Sequence, residues 1–331
     1  MVANQGLMSA QPLFVSSGDL LADRRYQWAL DYLRRGDAAA AAEILAQVVE
    51  SAPGFATAWF ALAVIRERLG DRDGAIAAFR AARDADREDY HGARLHLARL
   101  GAGEATPAMT AVYVRRLFDQ HAPEFDQALV ERLDYCGPGL LFGAVCAVAK
   151  NPQRLGSVLD LGCGTGLAGA AFRPFCDWLA GVDISPGMIE QARNKALYDR
   201  LLVSDLTQFL LAEAGASYDL VLAADVFVYC SDLAPIAKAV AAVLAPGGLF
   251  AFTVETLDDF GDDPGVRLQE TLRYAHGAQH VRTAIAAAGL RLLRLAAAST
   301  RSEKGAPVPG LLAVAAKAAS TAPPSVDRPA S

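Results

Sequence analysis

Cysteine is scarce in this chain, and so are long apolar runs. The five cysteines (Cys136, Cys146, Cys163, Cys176 and Cys230) are scattered and odd in number, with no C-x-x-C among them. That spacing argues against a disulfide framework or a redox pair and suits reduced, mostly buried thiols. The longest clean apolar stretch, Leu140 to Ala149, falls well short of the ~18 residues a membrane span requires. The opening MVANQGLMSAQPLF has neither a basic start nor an apolar core, so no signal peptide is expected and a cytoplasmic location is. Basic excess is missing as well. The chain has 31 Lys+Arg against 37 Asp+Glu, a net charge of −6, and neither the first 105 residues nor the remainder is basic. Nucleic acid and membranes are therefore not expected partners. What remains is ample apolar material, 53% of 331 residues, enough for two cores.

An internal period organises the first part. Residues 22–55 align with 56–89, placing Gly36 on Gly70, Asp37 on Asp71, Ala41 on Ala75, Leu45 on Phe79 and Val48 on Ala82, always 34 apart. Each unit reads as two amphipathic helices about a Gly-Asp turn, the glycine supplying the positive φ that ends the first helix. Small Ala41 and Ala75 permit close crossing, while Trp28, Leu45, Trp59, Leu62 and Phe79 supply bulk. Period and anchors resemble tetratricopeptide repeats. Tyr90 to Leu100 reads as a capping helix, which bounds a helical domain at 22–100, and Gly101 to Pro107 as a linker. Two repeats and a cap are few for independent stability, so this domain is expected to pack on its neighbour. Its two readings are a surface for a protein or peptide partner and a buttress.

From Ser157 the pattern changes to alternating strands and helices. Apolar runs at 158–161, 179–183, 201–203, 220–224 and 249–254 suit a parallel sheet covered on both faces. Runs at 290–297 and 311–316 are joined by a polar loop too short for a crossover helix, so they should pair antiparallel. The expected class is α/β, a doubly wound, seven-stranded, mostly parallel sheet. Helices over 107–150 precede a sheet core at 155–317, and a low-complexity tail, 318–331, is expected to be disordered.

The chemistry starts where the first strand meets its glycines, in Val158-Leu-Asp-Leu-Gly-Cys-Gly-Thr-Gly166. Gly162, Gly164 and Gly166 remove the Cβ atoms that would keep a ligand off the backbone. Their G-x-G-x-G spacing differs from the dinucleotide fingerprint, whose third glycine comes one residue later. Asp160 precedes the turn, where it can meet an ammonium. Asp183 ends the next strand, where a carboxylate can accept from both hydroxyls of a ribose. Asp205 follows the third strand, in position for an adenine amine. Ammonium, ribose diol and adenine are the polar handles of S-adenosylmethionine (SAM).

These motifs, with the terminal antiparallel pair, resemble class I SAM-dependent methyltransferases, a Rossmann-like family. The repeats in front make the whole chain similar to bacterial predicted methyltransferases with N-terminal tetratricopeptide repeats. The resemblance implies that Asp160, Gly162, Gly164 and Gly166 hold the methionine end, Asp183 the ribose, and Asp205 with Leu206 the adenine. Cys163, Ile184, Asp225 and Tyr113 complete the expected cofactor-contacting set. A SAM-binding module without turnover and an NAD-dependent oxidoreductase are the rival readings.

The acceptor side is less legible, because an in-line displacement at a sulfonium needs alignment more than a strong base. An aromatic segment from Tyr113 through Phe118 to Phe125 resembles the lid of methyltransferases acting on quinones and malonyl-carrier esters. Asp225, Phe227 and Tyr229 follow the fourth strand, without the Asn/Asp-Pro-Pro-aromatic run of enzymes that methylate planar amines. In Arg273-Tyr274-Ala-His276, His276 is a candidate general base and Arg273 a candidate clamp for a carboxylate. Tyr229 completes the expected catalytic set. His276 and His280 lack a third ligand, so no metal is expected. The expected acceptor is a small molecule, free or carrier-bound, reacting through oxygen or nitrogen.

Overall fold

The computed structural model describes residues 14–104, 108–213, 215, 217–257 and 265–319. Positions 105–107 of the expected linker and 320–331 of the expected tail lie outside the described residues.

Five helices build the first domain: α1 (Leu20–Arg34), α2 (Ala38–Ser51), α3 (Ala56–Arg68), α4 (Arg72–Ala85) and the short α5 (Ala93–Arg99). The turn glycines repeat in geometry as in sequence, Gly36 at φ +88° and Gly70 at +82°. Asp37 and Asp71 then cap the next helices, accepting from the N–H groups of Ala40 and Gly74. Ala41, Ala75, Leu45, Phe79 and Val48 are fully buried, as the repeat demands. Trp28 is a correction. It is 51% exposed, because the inward stripe of α1 runs through Ala22, Tyr26 and Ala29 and position 28 lies about 100° off its neighbour. Tyr26 fills that space, against Phe55. Trp59 is half-buried, its indole N–H donating to the Pro53 carbonyl at 2.9 Å.

The second domain opens with α6 (Ala111–His121), α7 (Phe125–Leu133) and α8 (Gly137–Cys146). Strands and helices then alternate: β1 (Ser157–Leu161), α9 (Leu167–Phe172), β2 (Trp178–Asp183), α10 (Pro186–Asn194), β3 (Arg200–Val203), α11 (Leu206–Ala212), β4 (Tyr218–Ala223), α12 (Ala234–Val243) and β5 (Leu244–Glu255). After them come β6 (Val266–Leu268), β7 (Tyr274–His276), α13 (Ala278–Ala287), β8 (Arg291–Ala298), the short hairpin β9 (Ser302–Glu303) and β10 (Ala306–Pro307), and β11 (Gly310–Ala316). The main order is β3-β2-β1-β4-β5-β11-β8. Strands β1 to β5 are mutually parallel, and β11 runs antiparallel between β5 and β8. Alternation along each strand feeds two cores. Leu159, Leu161, Val221 and Phe250 pack with α11, α12 and α13, while Val158, Leu220, Leu222 and Ala251 pack with α8 and α9.

One segment departs from expectation. Tyr274 to His276, just before helix α13, form strand β7, which no strand run in the sequence marks and which pairs with β6 and with the far end of β5 through Glu255 and Ala275. The pairing of β4 with β5 stops at Ala223 and Phe252, so the end of β5 has a free edge for this extra pair.

The two domains touch through the cap. Arg99 of α5 bridges Glu67 at 2.5 Å and Glu270 at 2.9 Å, and the Arg116 guanidinium lies 3.7 Å above the Tyr90 ring. Gly92 has room for nothing larger, since a Cβ there would sit 2.7 Å from the Tyr113 ring. Residues 106–331 alone are accordingly expected to melt below the full chain, by about 2–4 °C for each kcal/mol of lost interface. Scanning calorimetry of both forms checks this, and equal melting would show that the repeats do not support their neighbour.

Candidate functional site

Strand β1 ends in a turn whose three glycines all have positive φ, +63° at Gly162, +53° at Gly164 and +93° at Gly166. A Cβ on Gly162 would lie 2.6 Å from a Val226 methyl, so this backbone has neither the conformation nor the space for a side chain. Asp183, at the end of β2, anchors the turn. Its Oδ2 accepts from Gly164 N–H at 2.9 Å and its Oδ1 from Ser185 N–H at 2.8 Å. Burial pushes the Asp183 carboxyl up to about 6, the N–H groups of Ser185 and Gly164 pulling the other way.

Asp160 sits one strand away, 1% exposed. Its Oδ2 accepts from the Tyr198 hydroxyl at 2.7 Å, while Oδ1 is buried with no hydrogen-bond partner. Burial pushes this carboxyl up to about 7. An orphaned carboxylate oxygen costs roughly 1–3 kcal/mol or more when charged, so the site is built to receive a donor, ideally a cation. Asp205 has a second occupation, since it caps α11 by accepting from Thr207 and Gln208 N–H at 2.9 and 3.1 Å. Leu206 and Ile184 are half-buried beside these acids. Cys163 packs inward, so that a Cβ on Gly181 would lie 2.9 Å from its sulfur, and burial holds its thiol well above the usual range. A packing role suits it.

The helices before the sheet lie closed on the turn. Asp119 of α6 accepts from Ser185 Oγ at 2.6 Å and from Gly187 N–H at 3.1 Å. Asp126 of α7 accepts from Thr165 Oγ1 inside the turn and pairs with Lys195 at 2.5 Å. Phe118 stands edge-on to Tyr229 at 5.1 Å and to Phe125 at 6.0 Å. Tyr113 packs its ring on Gly92 of the cap and also lies within electrostatic reach of Tyr229 and Arg273; burial pushes its hydroxyl well above the usual range.

On the acceptor side the expected groups are already engaged. Asp225, at φ +55°, hydrogen-bonds Thr253 at 2.9 Å through both its N–H and its Oδ1. It also accepts from Thr300 at 2.8 Å and from Arg301 at 3.1 Å, so its carboxylate serves this network. Arg273 is a correction. It is 8% exposed and paired with Glu303 at 2.5 Å and Glu255 at 3.5 Å, which spends its charge inside the protein. His276 is another. It is fully buried in β7, its Nε2 3.0 Å from the Phe227 carbonyl, and burial pushes the ring down to about 4. The neutral ring donates through Nε2 to that carbonyl, and its Nδ1 is buried with no hydrogen-bond partner. Tyr229 closes the set, accepting a hydrogen bond from Arg273.

Residues 159–252 match the family model described as methyltransferase domain, and residues 26–90 match a tetratricopeptide-repeat model. The chain carries a methyltransferase domain. Human methyltransferase-like protein 27 is 35% identical over 144 residues, 42% of this chain and 56% of that one. Nodulation protein S of Rhizobium tropici is 32% identical over 112 residues, covering 32% and 45%. Malonyl-[acyl-carrier protein] O-methyltransferase of Serratia marcescens is 31% identical over 108 residues, covering 32% and 42%. The chain thus spans about half the length of the curated relatives it matches. A solved S-adenosylmethionine-dependent methyltransferase from Clostridium acetobutylicum overlays with a TM-score of 0.46 at 19% identity, covering 61% of this chain and 99% of that one.

Several residues that structure the candidate site escaped sequence reasoning. Asp126 lies in the aromatic segment but shows no distinguishing signal, and Arg301 sits in a loop legible only as a connector. Tyr198, Thr253 and Thr300 gain their roles only from contacts distant in sequence. Among the described residues, no group of three or more His, Cys, Asp or Glu is placed to hold a metal. No helix there is long and apolar enough to cross a membrane.

The state of His276 has a consequence for pH dependence. Its folded pKa of about 4 lies below the ordinary 6.5, so protons prefer the unfolded chain, and its contribution is present above pH 6.5 and lost as pH falls towards 4. His276→Gln keeps a donor for the Phe227 carbonyl and cannot titrate. The stability gap between wild type and this variant should therefore narrow by about 2 kcal/mol between pH 7 and pH 5. Urea unfolding at both pH values measures it, and a constant gap would mean that His276 titrates normally.

Proposed function

We propose that the chain is a SAM-dependent methyltransferase transferring a methyl group to an oxygen or nitrogen of a small-molecule acceptor, free or carrier-bound. The observation that carries this reading is the buried, unpartnered Oδ1 of Asp160 beside three positive-φ glycines and the Asp183 anchor. These residues fit SAM, which when bound supplies an electrophilic methyl on a sulfonium. Asp160 receives the ammonium, the glycine backbone admits the amino-acid end, Asp183 accepts from the ribose hydroxyls, and Asp205 with Leu206 borders the adenine. Asp119 and Asp126 hold the lid shut, and Phe118, Phe125 and Tyr229 keep water from the reacting centre. Exclusion of water and alignment supply the rate, consistent with a site in which His276 is neutral and buried. The likeness to an O-methyltransferase of a carrier-bound malonyl group supports the oxygen and carrier parts of the reading.

The repeats are read as a buttress that also offers a surface to a protein or peptide partner, in a cytoplasmic protein without nucleic-acid or membrane partners. Incubation with SAM and fractionated small-molecule and carrier-bound acceptors, scored by S-adenosylhomocysteine formation, tests the function. SAM binding without turnover on any fraction would favour a cofactor-binding module.

A further inference from the structure

Tyr198 stands between α10 and β3, in a slot cut by three glycines from three different elements. A Cβ on Gly166 would lie 3.0 Å from its ring, one on Gly181 2.8 Å, and one on Gly169 closer still to its hydroxyl. A side chain at Gly169 or Gly181 would displace the ring, and one at Gly166 would crowd it at a φ of +93° that favours glycine. The ring's one polar atom donates to Oδ2 of Asp160 at 2.7 Å, and the other oxygen of that carboxylate is left buried and unpartnered. Burial holds the Tyr198 hydroxyl well above its usual range, so it stays a donor at every relevant pH. We propose that Tyr198 is a positioning residue for the cofactor's amino group: by occupying Oδ2 it fixes the Asp160 carboxylate and leaves Oδ1 open to an ammonium. This rests on the reading of Asp160 given under the proposed function.

The surroundings of Asp160 make the arrangement measurable. The titratable groups facing it are Tyr198, Asp183, Cys163 and Tyr135, none of them cationic. Burial pushes the carboxyl up to about 7, and the Tyr198 hydrogen bond pulls it down. An ammonium binds the ionised form, so SAM affinity should fall on the acid side as Asp160 takes up its proton. Removing the hydroxyl moves that acid limb upward.

The test uses the full chain, wild type and Tyr198→Phe, titrated calorimetrically with SAM and with 5′-methylthioadenosine from pH 5.5 to 8.5. Methylthioadenosine keeps adenine and ribose but lacks the amino-acid end with its α-ammonium. Tyr198→Phe should shift the acid limb for SAM up by about one pH unit, weakening binding roughly fivefold at pH 7, while methylthioadenosine affinity stays within twofold. Asp160→Asn, in which Tyr198 is intact, should abolish the part of the acid limb that SAM shows and methylthioadenosine does not, leaving the limb that both ligands share through Asp183, whose carboxyl is raised to about 6. An unshifted SAM limb in Tyr198→Phe, or equal loss for both ligands, would overturn the positioning role, as would a SAM-specific limb that persists in Asp160→Asn. Failure of the wild type to bind either ligand would instead overturn the cofactor reading beneath it.

Discussion

Asp183→Ala is expected to weaken SAM binding by about 2–3 kcal/mol, roughly 30- to 150-fold, on the scale of charge-assisted hydrogen bonds. Two effects combine. The proposed acceptor for both ribose hydroxyls disappears, and the glycine turn loses the carboxylate that ties Gly164 and Ser185 N–H together. Relief of a buried, strained charge offsets part of any stability loss, because burial already holds this carboxyl up at about 6. Affinity rather than folding should therefore carry the phenotype. Calorimetry is the direct readout, and unaltered affinity would remove Asp183 from the site.

The largest effect on stability is expected from Arg301→Ala. Its guanidinium is 4% exposed and meets Asp225 at 3.1 Å, Glu303 at 3.0 Å and Glu255. Without it, three carboxylates face one another with Arg273 as their nearest counter-charge. Breaking a buried pair by removing one partner costs about 3–5 kcal/mol, far more than the pair itself contributes, because the desolvation of the remaining charge goes uncompensated. Denaturant unfolding at pH 7 should register that loss. A change below about 1 kcal/mol would mean that water reaches these carboxylates.

The contrast between these residues shows what the chain makes legible. Strand runs such as 158–161 and 179–183 were readable because both faces of a covered sheet demand apolar residues, and the observed strands match within a residue or two. The repeats were readable because Gly36 and Gly70 answer a backbone requirement that few residues meet. Asp160, Asp183 and Asp205 were readable as an ordered set of acids in or just after consecutive strands, and Asp160 and Asp183 both meet the glycine-turn region. Arg273 and His276 were legible as chemistry but not as placement. The partners that engage them, Glu255, Glu303 and the Phe227 carbonyl, lie 18, 30 and 49 residues away in sequence. Strand β7 is three residues long, too short for any periodicity to show. Trp28 failed differently, since apolar size alone does not say which side of α1 a residue takes.

The central claim is that the glycine turn and its acids hold SAM, and ligand-dependent melting of the full chain tests it most directly. SAM and S-adenosylhomocysteine should raise the melting temperature in a saturable way, and NAD at the same concentrations should leave it unmoved. Stabilisation by NAD but not SAM, or by none of the three, would contradict the account.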